Sequence, residues 1–552
     1  MSVSVQATFC ATLVDEWAQN GVTEAVVCPG SRSTPMAVAL ATRLRVHVRL
    51  DERSAAFYAL GIAMATGRPT VICTTSGTAA AELHPAVVEA HHGRVPLIIC
   101  TADRPPELQQ VGASQTIDQV GLFTTSTRWA TSPGVPDDGQ RASWRPLAAR
   151  ALAEAQDGPY GPGPVHLNLA FRDPLVGEPG PLPEGRGPSL VPQKHATARL
   201  SQPLEGNGLI IAGAGATHSP THLLTLGQAL GWPILADPRS GCRSEGTVAA
   251  ADAIVRAEVP LPETVLLLGT PWLSKALAEY VAKAAAAGAR VVAVDPWWQW
   301  TDPTPVVTEF HHTDADTFID AALEGATQCD PDWLSLWRSY EERAQTAIDA
   351  TLGDGLTEPR VARRLTRAAA ASQATIVVSA SMPMRDLEWF APTEPAPPRV
   401  LSNRGANGID GVVSTALGVA ATGHHTIALL GDLAFLHDVS GLVNLPELPC
   451  TFVVVDNNGG GIFSFLPQSE AVPSATFEQL FGTPPTCDIL AVATGFGLHV
   501  HDVTNLAELE TALDLGPSLR PTLIRVQVPS RAENVALHDA INQAVRLALA
   551  PT

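Results

Sequence analysis

The sequence predicts an α/β protein of about three domains, each a doubly wound and mainly parallel sheet. Three observations carry this. The chain has 552 residues, and a single hydrophobic core stops growing beyond about 300. Short β-rich apolar runs alternate with segments of helical periodicity along most of its length, the mark of repeated βα units. A stretch from 174 to 206, with Pro174, Pro179, Pro181, Pro183, Pro188, Pro192 and Pro203 among glycines, builds no regular element and reads as a linker. The expected domains are 1–180, 181–345 behind that linker, and 346–552.

In the first domain, 25–28 is a short buried strand followed by the loop Pro29-Gly30-Ser31-Arg32-Ser33-Thr34. Pro35 then suits the first turn of a helix. Residues 46–50 form a second strand, followed by Asp51-Glu52-Arg53-Ser54 and a helix over 55–66. Residues 70–74 form a third, leading through Ser76-Gly77-Thr78 into a helix to about His91. Residues 95–101 form a fourth, ending in Ala102-Asp103-Arg104-Pro105-Pro106, and 163–169 reads as the last strand.

Each of these polar clusters follows a strand, so all lie on the sheet edge where open α/β sheets bind ligands. Ser31 and Arg32 lie on the first loop, Arg104 on the fourth, and Gln115 beyond it in Gly112-Ala113-Ser114-Gln115. Guanidinium forks grip carboxylates bidentately, although an isolated surface Arg is ordinarily just solvated. Glu52 opens a helix, where the macrodipole favours a carboxylate in its own right. His84, His91 and His92 lack a completing carboxylate or thiol and read as a solvated helix face.

In the central domain, 208–216 is a strand with a glycine turn, and 264–269 and 289–295 are further strands. Gly213-Ala214-Gly215 lacks the third glycine of a dinucleotide fingerprint, since position 218 is His, and reads as a tight turn alone. Lys275 follows the second of these strands. In the third domain, the strand 375–379 runs into Ser381-Met382-Pro383-Met384-Arg385. The glycine-rich run Ser402-Asn403-Arg404-Gly405-Ala406-Asn407-Gly408-Ile409-Asp410-Gly411 opens a helix over 413–421, a suitable place for anionic oxygens.

The most specific stretch is 431–463. An apolar run over 426–430 ends in Gly431-Asp432-Leu433, and a second over 451–455 ends in Asp456-Asn457-Asn458-Gly459-Gly460-Gly461-Ile462-Phe463. Residues 436–445 between them are long enough for a helix, which makes a βαβ unit. Asp432 offers a carboxylate oxygen, Asn457 an amide oxygen, and Gly459 a closely approaching carbonyl. Completed by a diphosphate, that set suits magnesium. Either polar residue alone could simply shape a βα turn.

Composition narrows the class. Hydrophobic content of 45% with 16% charged residues is globular. A net charge of −20 speaks against nucleic acid or an anionic membrane as the main partner, but not against small anions bound at a locally basic site. No apolar run is long enough to span a bilayer, and 1–10 lacks a signal-peptide pattern. Eight scattered cysteines without a CxxC pair suit a reducing cytoplasm.

The 431–463 stretch resembles the diphosphate-binding motif of thiamine-diphosphate enzymes, Gly-Asp-Gly…Asn-Asn, with Leu433 in the third place. That Leu, with Asn-Asn-Gly-Gly and Ile-Phe after it, is similar to the 2-succinyl-5-enolpyruvyl-6-hydroxy-3-cyclohexene-1-carboxylate synthases of menaquinone biosynthesis. The resemblance covers the whole chain, most strongly in the first and third domains. It implies the thiamine-diphosphate-enzyme architecture and a transferase that decarboxylates 2-oxoglutarate and adds the succinyl carbanion equivalent 1,4 to isochorismate. The implied cofactors are thiamine diphosphate and Mg2+ or Mn2+, the metal on Asp432, Asn457 and Gly459. Pro29, Glu52, Ile409, Gly431, Leu433 and Ile462 complete the cofactor site. Glu52 would bond N1′ of the pyrimidine and relay a proton, Ile409 would bend the cofactor, and Gln115 would lie near the reacting carbon.

The resemblance further implies that Ser31, Arg32, Arg104, Gln115, Lys275, Ser381, Arg385 and Arg404 contact the two substrates, with Phe463 and Leu466 as walls. The position after Lys275, often Arg in relatives, is Ala276 here. A homodimer or homotetramer would share its sites, Glu52 from one chain and Asp432 from another. Two alternatives stand beside this reading. One is another thiamine-diphosphate enzyme, a 2-oxo acid decarboxylase or acetohydroxyacid synthase. The other is a non-catalytic cofactor-binding protein.

Overall fold

The computed structural model describes residues 3–185, 200, 202–297 and 299–550. Pro188 and Pro192 of the expected linker lie outside the described residues. The chain forms two compact units. The first comprises Met1–Gln193, Asn403–Thr426 and Ala434–Cys450; the second comprises Lys194–Ser402, Ile427–Leu433 and Thr451–Thr552.

The first unit is built on a six-stranded sheet. Its spatial order is Arg45–Val48, Glu24–Val27, Thr70–Thr74, Leu97–Asp103, Pro164–Ala170 and Trp129–Thr131. Every neighbouring pair is parallel. The inner strands Thr70–Thr74, Leu97–Asp103 and Pro164–Ala170 are buried along their whole length, as suits the interior of a parallel sheet, and the buried polar pair His166 and Asn168 is satisfied by Thr101 Oγ1 at 2.8 and 3.0 Å. Phe9, Trp17, Trp144 and Leu152 pack under one face of the sheet. The strand order reverses between Glu24–Val27 and Thr70–Thr74, so the loops that follow these two strands flank a topological switch point. They touch there: a Cβ on Gly30 would stand 2.4 Å from Cβ of Thr75.

Two features of this unit depart from expectation. The helix expected to run from 78 to about 91 is broken into Thr78–Ala81 and His84–Gly93. Pro85 explains the break, since it has no N–H and its ring excludes the carbonyl four residues back. The edge strand Trp129–Thr131 and the helix Trp144–Asp157 carry no strong sequence signal and were not foreseen.

The helix Glu52–Thr66 lies against Val412–Ala421, which belongs to the same unit. They meet backbone to backbone. A Cβ on Gly61 would stand 2.1 Å from the carbonyl oxygen of Thr415, and one on Gly418 would stand 2.1 Å from that of Tyr58. Asp438 ties the two N-terminal ends together: Ser414 N and Oγ donate to it at 2.7 and 3.1 Å, and Ser54 Oγ at 3.3 Å.

The second unit holds two sheets. One runs Glu309–His311, Arg290–Val294, Thr264–Leu268, Gly208–Ala212 and Ile234–Ala236, all parallel. At its switch point the loops after Gly208–Ala212 and Thr264–Leu268 interlock, with the Cβ position of Gly213 1.8 Å from the Thr270 carbonyl oxygen. The two loops are thus in close backbone contact. The other sheet runs Val400–Leu401, Thr375–Val378, Thr426–Gly431, Cys450–Asp456, Thr522–Gln527 and His499–Val503.

The helix expected over 436–445 begins instead at Asp432, directly at the strand end, and stops at His437. A 3-10 turn, Val439–Leu442, follows. The carboxylate of Asp432 accepts from Leu433 N at 2.7 Å and so starts the helix at once. Among the described residues no helix is long and apolar enough to cross a membrane. None of the eight cysteines is in a disulfide; six are buried, Cys329 is half-buried and Cys487 is exposed.

Gly61→Ala tests the helix crossing. Ala raises helix propensity by about 1 kcal/mol, yet its Cβ meets backbone that cannot yield, and overpacking costs about 1–3 kcal/mol. The variant is expected to melt at a lower temperature than the parent; an equal or higher melting temperature refutes the close approach.

Candidate active site

In the first unit the polar loops converge at the carboxyl edge of the sheet. Glu52 is the first residue of its helix, and the Asp51 side chain caps it by accepting from Ser54 N at 3.1 Å. Burial pushes the Glu52 carboxyl above its ordinary value, and the Asp51 and Glu82 charges push the same way. Its charge is also felt by the buried Cys28 thiol, at the end of Glu24–Val27. Glu52 therefore sits among the loops that follow the first three strands, half-buried and biased towards holding a proton.

Arg32 and Arg104 lie close enough for Arg32 to lower the pKa of Arg104, after burial as the larger cause. Arg32 Nη1 donates to the Phe171 carbonyl at 3.0 Å and pairs with Asp173 at 3.2 Å, and the Asp173 side chain is 71% exposed. The guanidinium is thus aimed by buried backbone and held by a carboxylate that can leave for water. Arg104 Nη1 donates to Ser76 Oγ at 2.7 Å. Ser76 Oγ donates in turn to the Gln115 carbonyl at 2.9 Å, and Gln115 Nε2 donates to the Ser76 carbonyl at 3.0 Å. Gln115 and Arg104 are thereby joined through Ser76. Pro29 and Ser31 are exposed on the first loop.

The glycine-rich run carrying Arg404 and Ile409 also belongs to this unit. Two of its N–H groups are bonded within the protein. Glu89, buried, accepts from Gly405 N at 2.5 Å and Ala406 N at 2.7 Å. In the following helix Ser414 N is bonded to Asp438. The three histidines are less solvated than expected: His84 stands edge-on to buried Phe123, and Arg128 Nη1 lies 2.9 Å from His91 Nδ1. Only His92 is exposed.

In the second unit, Asp432 and Asn457 stand at adjacent strand ends. Asp432 is 1% exposed, and burial pushes its carboxyl up to about 6. Its Oδ1 accepts from Leu433 N and its Oδ2 from Gly459 N, each at 2.7 Å. Gly459 has φ +125°, and a Cβ there would stand 2.0 Å from the Gly482 carbonyl oxygen, so only glycine lets this loop reach the carboxylate. Asn457 Nδ2 donates to buried Glu358 Oε1 at 2.9 Å, while its Oδ1 is buried without a hydrogen-bond partner.

A buried amide oxygen left without a donor is costly, and it lies two residues from the glycine that Asp432 holds. Hard oxygen donors of this kind fit Mg2+ or Mn2+, given further oxygens from a phosphate. Among the described residues no three His, Cys, Asp or Glu side chains form a metal-binding group. The fit therefore depends on the carboxylate, the amide and a backbone carbonyl.

Gly431 and Leu433 flank Asp432 and are half-buried, as are Ile462, Phe463 and Leu466 after the second loop. Phe463 packs on Phe481 with ring centroids 5.5 Å apart. At the end of Thr375–Val378, Ser381 has φ +74° and accepts at its carbonyl from Arg385 Nη1 at 2.9 Å. Lys275 is exposed at the head of the helix Lys275–Ala286. Sequence reasoning missed Ser76, Asp173, Glu89 and Glu358. Only Ser76 carried a usable signal, as the polar residue of a post-strand glycine turn.

Three family profiles match successive stretches of the chain. The profile described as thiamine pyrophosphate enzyme, N-terminal TPP binding domain, matches residues 8–122. That of the middle domain of thiamine pyrophosphate enzymes matches 189–377, and that of the C-terminal TPP binding domain matches 387–526. The 2-succinyl-5-enolpyruvyl-6-hydroxy-3-cyclohexene-1-carboxylate synthase of Chloroflexus aurantiacus is 41% identical over 98% of this chain and 96% of its own. Its counterpart in Thermobifida fusca is 42% identical over 97% and 98%. Among solved structures, benzoylformate decarboxylase from Polynucleobacter necessarius superposes with a TM-score of 0.72 over 96% of this chain and 99% of its own, at 18% identity, a likeness of fold.

Glu89→Ala leaves two loop N–H groups without their buried acceptor and is expected to cost about 2–3 kcal/mol. The denaturant midpoint measures it, and an unchanged midpoint would show that Glu89 does not hold the loop.

Proposed function

The chain belongs to the 2-succinyl-5-enolpyruvyl-6-hydroxy-3-cyclohexene-1-carboxylate synthases, a family of thiamine-diphosphate enzymes, and on that premise we propose which of its residues perform the reaction. It is a transferase of menaquinone biosynthesis that acts on 2-oxoglutarate and isochorismate. Thiamine diphosphate, when bound, would supply the electron sink for loss of carbon dioxide and the carbon nucleophile for addition to isochorismate.

The observation that carries the residue assignment is the unpartnered Oδ1 of Asn457 beside the loop held by Asp432. Asp432 Oδ, Asn457 Oδ1 and the Gly459 carbonyl would hold Mg2+ or Mn2+, with Gly431 and Leu433 presenting backbone to the diphosphate. Glu52 holds the proton at N1′ of the pyrimidine, and its raised pKa suits a group that must donate. Pro29, Ile409 and Ile462 shape the cofactor pocket.

Arg32 and Arg104 bind the carboxylates of isochorismate, Arg32 exchanging Asp173 for its substrate, with Ser31 beside them. Gln115, fixed on Ser76, is placed near the reacting carbon. Ser381, Arg385 and Arg404 take the distal carboxylate of 2-oxoglutarate. Lys275 adds a positive charge, and Phe463 and Leu466 keep water out. The protein works in the cytoplasm as a homodimer or homotetramer, Glu52 of one chain serving the cofactor whose diphosphate lies on Asp432 of another. Family membership supports this assembly, as does a substrate pair whose negative charge calls for the arginines of an otherwise acidic chain.

Glu52→Gln is expected to lower turnover by about 10²–10⁴, followed as carbon dioxide released from 2-oxoglutarate; near-normal turnover removes Glu52 from the mechanism. With Mg2+, thiamine diphosphate, 2-oxoglutarate and isochorismate together, the adduct should appear by mass spectrometry and vanish on chelation of the metal. Turnover of pyruvate in preference to 2-oxoglutarate would assign the chain's chemistry to a decarboxylase or acetohydroxyacid synthase instead.

A further inference from the structure

We infer that Glu358 is a positioning residue for the metal site: its carboxylate fixes which end of the Asn457 carboxamide faces the cation. The inference rests on the reading of Asp432 and Asn457 as metal ligands and goes beyond it to a residue that touches neither metal nor substrate.

Glu358 begins the helix Glu358–Ser372, 99 positions before Asn457, and is 4% exposed. Its surroundings are hostile to a carboxylate. It forms no ion pair among the described residues, and burial first, then the charges of Asp386 and Asp432, push its carboxyl well above the ordinary carboxylate range. Asp386 already faces His538, 3.0 Å away, and Asp432 already has two backbone N–H groups. Asn457 Nδ2, at 2.9 Å, is the side-chain donor that reaches Glu358.

A carboxamide is nearly symmetric in shape but not in chemistry: one end donates and the other accepts. The Glu358 oxygen that faces Asn457 accepts from its Nδ2 at 2.9 Å and so takes the NH2 end. The amide oxygen is left pointing the other way, where it is buried and has no hydrogen-bond partner. An amide flipped by half a turn would aim N–H at a cation and give up this bond to Glu358. Ligating groups are held in this way by partners one layer out, and removing such a partner typically costs 10–100-fold in metal affinity.

The test is a titration of the full chain with Mn2+ in the presence of thiamine diphosphate, following free Mn2+ by its electron paramagnetic resonance signal. Glu358→Leu is expected to weaken Mn2+ binding by about 10–100-fold, with metal-free melting close to that of the parent. Glu358→Gln keeps an acceptor of the same shape but can also donate, so it favours neither end strongly and should weaken binding by only a few fold. Parent-like affinity in Glu358→Leu overturns the inference. Equal weakening in both variants also overturns it, since the charge alone would then be acting. Should the Leu variant fail to fold, Glu358→Ala takes its place. Asp432→Ala separates the two levels: loss of Mn2+ binding there upholds the metal site, and unchanged binding sinks the site itself whatever Glu358 does.

Discussion

The helix crossing at Gly61 and Gly418 governs the first unit. Two helices whose carbonyl oxygens stand 2.1 Å from a would-be Cβ leave no layer of side chains between them. Their relative position is set by backbone, which neither rotates nor repacks. Glu52 opens one of these helices and the run carrying Ile409 leads into the other. The placement of the Glu52 carboxyl is thereby delegated to the least compliant contact available. Asp438 adds a polar lock at the same ends, satisfying N–H and hydroxyl donors from both.

The second unit solves a different problem, that of keeping oxygens available in a dry place. Asp432 survives burial because backbone N–H groups from its own helix and from the facing loop share its charge. Three consecutive glycines, Gly459 to Gly461, make that loop fit: a Cβ on any of them would stand within 2.6 Å of a neighbouring atom. The basic edge of the first unit works oppositely. Arg32 keeps a temporary partner in exposed Asp173, and Arg104 leans on a neutral hydroxyl. Permanent partners surround Asp432 and replaceable ones surround the arginines.

Much of this was legible in the amino-acid order. Strands such as Thr70–Thr74 and Thr375–Val378 announce themselves because burial on both faces leaves mostly apolar and β-branched residues. The polar clusters after them were readable for the same reason, since a parallel sheet sends every post-strand loop to one edge. Asp432 and Asn457 were singled out by pattern, and Glu52 by resemblance, at its place after the second strand. Glu89, Asp438 and Glu358 were not. Each is a single carboxylate that acts on a partner 24 to 316 positions away, and nothing local separates it from a solvated one. The early start of the Asp432 helix was missed because Gly431 looked like the middle of a longer loop, whereas the carboxylate starts a turn with its own neighbour.

The cysteines described above have a practical side. Seven of the eight are wholly or partly shielded, and Cys487 alone is exposed. It lies five residues beyond Gly482, whose carbonyl receives Gly460 N at 2.8 Å. The native chain thus comes with one ready attachment point for a fluorophore or spin label, close in sequence to the loop that meets Gly459 and Gly460. Ordering of these loops can be watched spectroscopically without engineering a single residue.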